Sequence, residues 1–547
     1  MIEEDLDPKR WLTLAIVLLA LVIVVVDNTV LTVAIPTLIR ELHTTLPGVQ
    51  WVLTGYSLTF ATLLIIGGRL GDLYGSRRMF IIGAAFFGVG SLVASLAHSV
   101  PQLFVGEAII EGIGAAMMMP ATLAILSTTF RGRERASAFA AWGAMAGGAV
   151  AFGPILGGYL TTYHSWRWAF RINVIVAPIA VLGALLLMRR DTPASRGERL
   201  DLPGAVLVAL GAFSLVFAIS QAQTYGWWHP LADATSLWPA TRPVSVTPLL
   251  FLLSAAALTS FVRVERRKER LGESPLFEFG QLRHPCFRYG LITSLVLAMG
   301  QLGMLFVLPV FLQDGKQLSA VDNGMWLVPM GVAIFVAAQV GGRLTRVLGT
   351  TSIVRFGLFL DAGGLVLMGV LLRPGVSFLG LLPGLLMFGV GVGLASSQLT
   401  NVILYDIDPD KAGVASGANS TVRQVGSALG VAIIGSVLST QIIRHAVSAV
   451  GRADLSRGVR AAAIEQIRRG GVNFTAASHT PLPLRHALES AVAAASRPSL
   501  LLAAGIVSIG AALSFLIPPV DQRLVSEDEM ARDLYDVAEP VDTHLVP

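Results

Sequence analysis

The sequence predicts an all-α polytopic membrane protein, and three observations carry that expectation. Hydrophobic residues make up 54% of the 547 positions and charged residues only 14%, against about 25% charged in an ordinary soluble protein. Mean hydropathy is +0.69. The apolar residues gather into about fourteen nearly charge-free blocks, each long enough to cross roughly 30 Å of hydrocarbon as a helix. Basic residues then alternate from loop to loop. A soluble enzyme, a disordered chain and a disulfide scaffold are excluded, and the lone Cys286 has no second cysteine to pair with.

In chain order, spans are expected at 12–35, 50–68, 79–97, 102–125, 137–160, 168–188, 203–221, 246–263, 288–312, 323–344, 352–372, 378–402, 413–440 and 498–518. With the N-terminus in the cytoplasm, the loops holding Arg77/Arg78, Arg131/Arg133/Arg135, Arg189/Arg190/Arg196/Arg199 and Arg263/Arg266/Arg267/Lys268/Arg270 all fall inside. The short loops opposite hold only Arg40, Arg167, Arg171, Arg242, Lys316 and Arg373. Positive charge in short loops concentrates on the cytoplasmic side, so both termini are expected there, in a multi-pass protein of the cytoplasmic membrane. This asymmetry explains the net charge of +5 better than a nucleic-acid surface does, and no nucleic-acid partner is expected. A cleavable leader is not expected either: the first apolar run follows Glu3, Glu4 and Asp5 and lacks a small-residue cleavage site.

Three polar segments interrupt the pattern. Trp227, Trp228 and Trp238, in the outer loop near 222–245, read as anchors at the headgroup level. The 445–497 stretch contains two Ala/Arg-rich runs, which read either as amphipathic helices on the membrane or as a solvated extracytoplasmic cap. The acidic tail reads as a solvated end.

An internal repeat organises the rest. Gly67-Gly68-Arg69-Leu70 with Gly75 follows helix 2, and Gly341-Gly342-Arg343-Leu344 with Gly349 follows helix 10. The expected division is a six-helix half at 1–190, inserted helices 7 and 8 at 191–285, a second half at 286–520 with an extracytoplasmic loop at 441–497, and the tail at 521–547. Paired helical repeats are how many secondary transporters build two states around a central site.

No phosphate-cradling GxxxxGK[ST] loop is present, nor HExxH, paired cysteines or a serine elbow. A non-enzyme without cofactor or metal is expected. The Gly389, Gly391, Gly393 run lies deep in an apolar helix with no preceding strand and reads as close helix packing.

Intramembrane ionisable residues are the informative class, since each costs roughly 2.5–3.5 kcal/mol at a helix centre. Asp27 lies in the outer half of helix 1. Glu107 and Glu111 share one face of helix 4 at i, i+4 spacing, where two carboxylates repel and are suited to load and release a proton. In the second half stand Arg423 in helix 13, Gln398 and Asn401 in helix 12, Gln301 in helix 9 and Gln339 in helix 10, with Asp361 in the middle of helix 11. Amides in hydrocarbon often serve as interhelical glue, so a structural role stays open for each. Arg171, near the outer end of helix 6, is placed to snorkel to the surface.

These residues carry a resemblance. The run Val26-Asp27-Asn28-Thr29-Val30-Leu31-Thr32-Val33-Ala34-Ile35-Pro36 resembles the helix 1 motif of the fourteen-helix drug:proton antiporters of the major facilitator superfamily (QacA/EmrB-like multidrug exporters). The run from Gly67 to Arg78, with Arg69, Gly71, Asp72, Gly75 and Arg77, resembles the superfamily's loop 2–3 signature. Gly148 and Gly153-Pro154-Ile155-Leu156-Gly157-Gly158 are similar to the helix 5 motif associated with antiporters, and Trp166 to Phe170 with Asn173 and the 417–430 stretch match as well. The resemblance implies two six-helix halves, a conformational gate at the loop 2–3 and helix 5 motifs, and proton or cation coupling at Asp27. The sequence also departs from the pattern. Ala108 stands where the family places a helix 4 arginine, followed by Glu111-Gly112-Ile113-Gly114, and Thr32 replaces an asparagine. Glu111 or Glu107 is then expected to take over part of the proton relay, with Arg171 as a charge partner.

The expected function is proton-coupled export of an amphipathic small molecule, cations among the candidates, by alternating access in a monomer. Gln301, Gln339, Gln398, Asn401 and Arg423 are expected to line the substrate cavity. The alternatives are export of one endogenous lipid or metabolite by the same fold, or an uncoupled facilitator.

Overall fold

In the computed structural model the apolar blocks form long helices: α1 (Arg10–Glu41), α2 (Leu46–Tyr74), α3 (Ser76–Ser95), α4 (Val100–Thr129), α5 (Gly132–Tyr163), α6 (Arg167–Leu187), α7 (Leu202–Tyr225) and α8 (Val246–Leu271). The order continues with α9 (Pro285–Val310), α10 (Ala320–Leu348), α11 (Thr350–Leu371), α12 (Phe378–Ile403), α13 (Ala412–Arg452) and α14 (Leu482–Leu513). The structure describes residues 7–44, 46–190, 200–230, 241–273, 275–408, 411–452 and 482–520, with a few more between 458 and 465. Among the described residues there is no β-strand, and 13 helices are long and apolar enough to cross a membrane. The further expected span, 137–160, falls in α5, where several side chains, Pro154 and Gly158 among them, lie outside the description. The 521–547 tail, Trp238 and the side chain of Thr32 lie outside it as well.

Two helix boundaries differ from expectation. α13 runs for 41 residues and α14 for 32, so α13 is roughly 60 Å long at 1.5 Å per residue. That is longer than the roughly 30 Å of a bilayer's hydrocarbon, and near its C-terminal end Ala446 and Val450 pack against Ala487, Leu488 and Ala491 of α14. The described ends of the 445–497 stretch, up to Arg452 and from Leu482, therefore extend these two helices, because alanine favours helix and leaves each extension one apolar face to bury. At the α7–α8 turn, Trp227 stacks on Phe251 with centroids 6.4 Å apart, while Trp228 is exposed.

The internal repeat is a repeat of packing. α1 lies on α5 as α9 lies on α13, α2 lies on α4 as α10 lies on α12, and α3 touches α4 and α6 as α11 touches α12 and α14. Glycines set the close approaches at matching places. Gly83 lies against Gly114 and Gly357 against Gly391, while Gly90 meets the Glu111 backbone and Gly364 the Phe388 backbone. Gly75 and Gly349, at φ 100° and 77°, make the tight turns into α3 and α11, a conformation that disfavours a Cβ. The other glycines of the Gly389–Gly393 run pack on α10: Gly389 on Met330 and Ala333, Gly393 on Ile334 and Ala337.

The halves meet where α2 crosses α13 and α5 crosses α10. α7 lies along the first seam, with Val216 and Phe217 against Leu58 and Ala61 of α2 and Val425 of α13. Its start is fixed by Asp201, which accepts the Gly204 N–H at 2.9 Å and pairs with Lys268 of α8 at 2.5 Å. Burial pushes the Asp201 carboxyl up, but its hydrogen bonds with Glu265, Lys268 and the Gly204 N–H outweigh that and hold it below the ordinary aspartate value.

Candidate functional site

Three features combine: an acid cluster inside the first half, a cavity between the halves, and a latch where α2 meets α13.

The acid cluster is assembled from α1 and α4. Residues Phe104–Glu111 of α4 form a π-helical turn, a feature often found at functional sites, and it carries Glu107 and Glu111 towards α1. Asp27, Glu107 and Glu111 are all buried, and their carboxyl oxygens come within 4.8 Å of one another. Asn173 of α6 donates to Asp27 Oδ1 at 2.7 Å, and Ser91 of α3 donates to Glu111 Oε1. Gly90 makes room for this, since a methyl there would lie 2.6 Å from Glu111 Cγ. One oxygen on each of Asp27, Glu107 and Glu111 receives no donor from outside the cluster among the described residues. Three full negative charges so close in an apolar surrounding are not tolerated electrostatically. The cluster is a donor set for protons or for one small cation.

The cavity has a volume of about 210 Å³, below the roughly 300–1,000 Å³ of typical ligand pockets. The first half lines it with Leu21, Val25, Phe60, Met119, Leu123 and Trp142, together with Gly143 and Ala146. The Trp142 indole N–H is directed to Thr122 Oγ1 at 3.2 Å. From the second half come Leu302, Leu305, Met330, Ile334, Phe388 and Val392, and all the polar groups. These are Gln301, whose Nε2 donates to Ser396 Oγ at 3.0 Å, and a face of α13 formed by Asn419, Ser420, Arg423, Gln424 and Ser427. α1 connects cavity and acids, for Leu21 and Val25 face the cavity while Asp27 lies in the cluster.

The latch is at the end of the bundle where α1 begins. Asp72, on the last turn of α2, accepts hydrogen bonds from the N–H groups of Gly413 and Val414 at 2.8 Å each. Gly68 packs on the Gly413 backbone and Gly417 on Leu64 and Ile65, so the helices touch from Leu64 to Asp72. In the other seam Gly143 packs on Ser397, and Arg135 donates to the Leu404 carbonyl at 2.9 Å. Arg77 donates to the carbonyls of Ala184 and Leu185 at the end of α6, and Arg355 does the same to Ser514 and Ile517 beyond α14. Gly67 lies against Ala116 of α4, and Gly157 lies 2.9 Å (as a methyl) from Val30 of α1. Arg69, Gly71 and Gly153 are buried, and Arg78 is exposed.

A family model described as the Major Facilitator Superfamily matches residues 17–431. The chain belongs to the major facilitator superfamily. It is similar to the puromycin resistance protein pur8 of Streptomyces alboniger, 34% identical over 79% of this chain and 82% of that protein. The tetracenomycin C resistance and export protein of Streptomyces glaucescens is 31% identical over 88% of this chain and 86% of that protein. Among solved structures, the human organic anion transporter MFSD10 (TETRAN) superposes with a TM-score of 0.59 at 15% identity, covering 93% of this chain and 99% of that one. That last likeness concerns the fold alone.

In this major facilitator chain the residues expected at the site separate into groups. Asp27, Glu107 and Glu111 come together, and Gln301 and Arg423 line the cavity. Gln398 and Asn401 are buried in α12 away from the cavity lining, and Gln339 is half-buried in α10, also outside it. Arg171 is exposed, with its guanidinium over the Trp168 ring at 5.4 Å, so it is no partner of the acids. Sequence reasoning quoted Asn173 only as part of a motif and missed Ser91, a lone serine among apolar residues with no signal of its role. It also missed Trp142 and Phe388 as cavity walls.

Proposed function

We propose that the chain is a fourteen-span drug:proton antiporter of the QacA/EmrB-like type, with both termini in the cytoplasm. It exports amphipathic small molecules across the cytoplasmic membrane by alternating access. The observation that carries this reading is the convergence of Asp27, Glu107 and Glu111 inside the half whose α1 also walls the cavity. Protons entering the cluster neutralise its carboxyls; losing them restores mutual repulsion and pushes on α1. Substrate in the cavity and protons in the cluster thereby bias the same helix. The named functions of the Streptomyces relatives, resistance and export, support the direction of transport. The arginine-rich loops support the orientation, which makes the Asp72 latch a cytoplasmic gate, closed in this conformation.

The test uses everted membrane vesicles energised by respiration. A fluorescent amphiphile accumulates, and dissipating the pH gradient with nigericin stops it. In Glu111→Gln the pH dependence of accumulation changes. Accumulation that continues without the gradient contradicts antiport, and an unchanged pH profile removes Glu111 from the relay.

A further inference from the structure

The acids that suggest a lipophilic cation as cargo do not line the cavity. Among its lining residues Arg423 carries the one formal charge, and that charge is positive. Among the described residues no carboxylate lies within ion-pair distance of Arg423. The wall opposite is apolar: Leu21, Val25, Phe60, Met119 and Leu123 offer no polar side chain, and the Trp142 N–H is already directed to Thr122. The cavity is thus two-faced. One side takes a ring system, and the other presents a guanidinium flanked on α13 by Asn419, Ser420, Gln424 and Ser427.

We propose that this cavity selects amphipathic molecules carrying an anionic oxygen, a carboxylate or phenolate, which Arg423 binds while the ring body lies on the wall around Trp142. The inference rests on the exporter reading and specifies its substrate class. A cation far from bulk water needs a counter-charge, and within this cavity the ligand is the one to supply it. Guanidinium presents its donors in a planar fork that matches a carboxylate bidentately. A cationic amphiphile would instead place two like charges in a low-dielectric space, a penalty far larger than in water.

Three probes with one ring system and different charge test this: 1-naphthoate, 1-naphthalenemethanol and 1-naphthylmethylammonium. Binding is read as quenching of Trp142 fluorescence in the purified full chain, with Trp142→Phe identifying the cavity signal. Naphthoate is expected to bind wild type about tenfold or more tightly than the ammonium probe. Arg423→Gln abolishes that preference, and Arg423→Lys keeps part of it, which distinguishes recognition from misfolding. Equal or tighter binding of the ammonium probe, a preference that survives in Arg423→Gln, or no Trp142 quenching by any probe would overturn the proposal. The readout requires neither transport nor a proton gradient. Naphthoate selectivity without gradient-driven transport would therefore overturn the exporter reading and leave the charge selectivity standing, and coupled transport of cations would do the reverse.

Discussion

The carboxylate of Asp72 caps a helix of the opposite half: it accepts the backbone N–H of Gly413 at 2.8 Å and that of Val414 at the same distance. The first N–H groups of α13 have no intrahelical acceptor, and a negative charge at a helix N-terminus is favourable. One side chain from the loop 2–3 signature thereby closes the seam between the halves. Capping contacts of this kind contribute about 0.5–2 kcal/mol. Asp72→Ala is expected to open the gate several-fold more often, and Gly413→Ala to do the same, because its methyl would collide with Asp72 and the Gly68 carbonyl. Spin labels across the α2–α13 seam measure the distance distribution. An unchanged distribution in both variants would remove the latch from the account.

Asn173 and Asp27 offer a second test. The hydrogen bond at 2.7 Å orients Asp27 from outside the cavity, and bonds to charged groups contribute about 1.5–3 kcal/mol. Asn173→Ala is expected to slow substrate-driven proton movement about tenfold or more while leaving Trp142 quenching by ligand nearly unchanged. Equal loss in both readouts would place the cluster within the substrate site.

Asp361 of α11 is buried, and neither of its carboxyl oxygens has a hydrogen-bond partner among the described residues. The internal repeat places it where Phe87 stands in the first half, since Gly391 meets its backbone as Gly114 meets that of Phe87. An unsatisfied buried polar group costs about 1–3 kcal/mol. Asp361→Leu is therefore expected to melt at a higher temperature in detergent than wild type with transport intact. A lower melting temperature, or lost transport, would show that the acid has a partner or a task.

Asp201 gives a prediction in pH. Its carboxyl is held below the ordinary value of about 3.9. The stability it contributes is complete above that value and is lost as pH falls through the lowered one. Asn still caps α7 but cannot pair with Lys268. The melting-temperature gap between wild type and Asp201→Asn should shrink as pH falls below about 4. A gap that widens on acidification would reverse the sign of the argument.

How much of this could be read from the sequence depended on whether the signal was local. Span length, loop charge and the GGRL repeat are local, and the helices, their order and the two turns at Gly75 and Gly349 follow from them. The pairing of Glu107 with Glu111 is local too, as spacing along one helix. That Asp27 joins them required the crossing of α1 and α4, which no periodicity encodes. The cavity was the least legible part. The cavity face of α12 is Phe388, Val392 and Ser396, less polar than the faces that bury Gln398 and Asn401, so polarity pointed to the wrong side of the helix. The Ala/Arg-rich runs at 445–497 concealed the extensions of α13 to Arg452 and of α14 from Leu482 because a solvated helix and a helix paired with a neighbour have the same composition.

The central claim is that Asp27 lies on the path of a proton exchanged for substrate. Proton release from proteoliposomes on substrate addition, in wild type and in Asp27→Asn, tests it most directly. Release in wild type that is absent in Asp27→Asn, with ligand still quenching Trp142, is the predicted result. Release unchanged in the variant, or none from wild type while substrate transport proceeds, would contradict it.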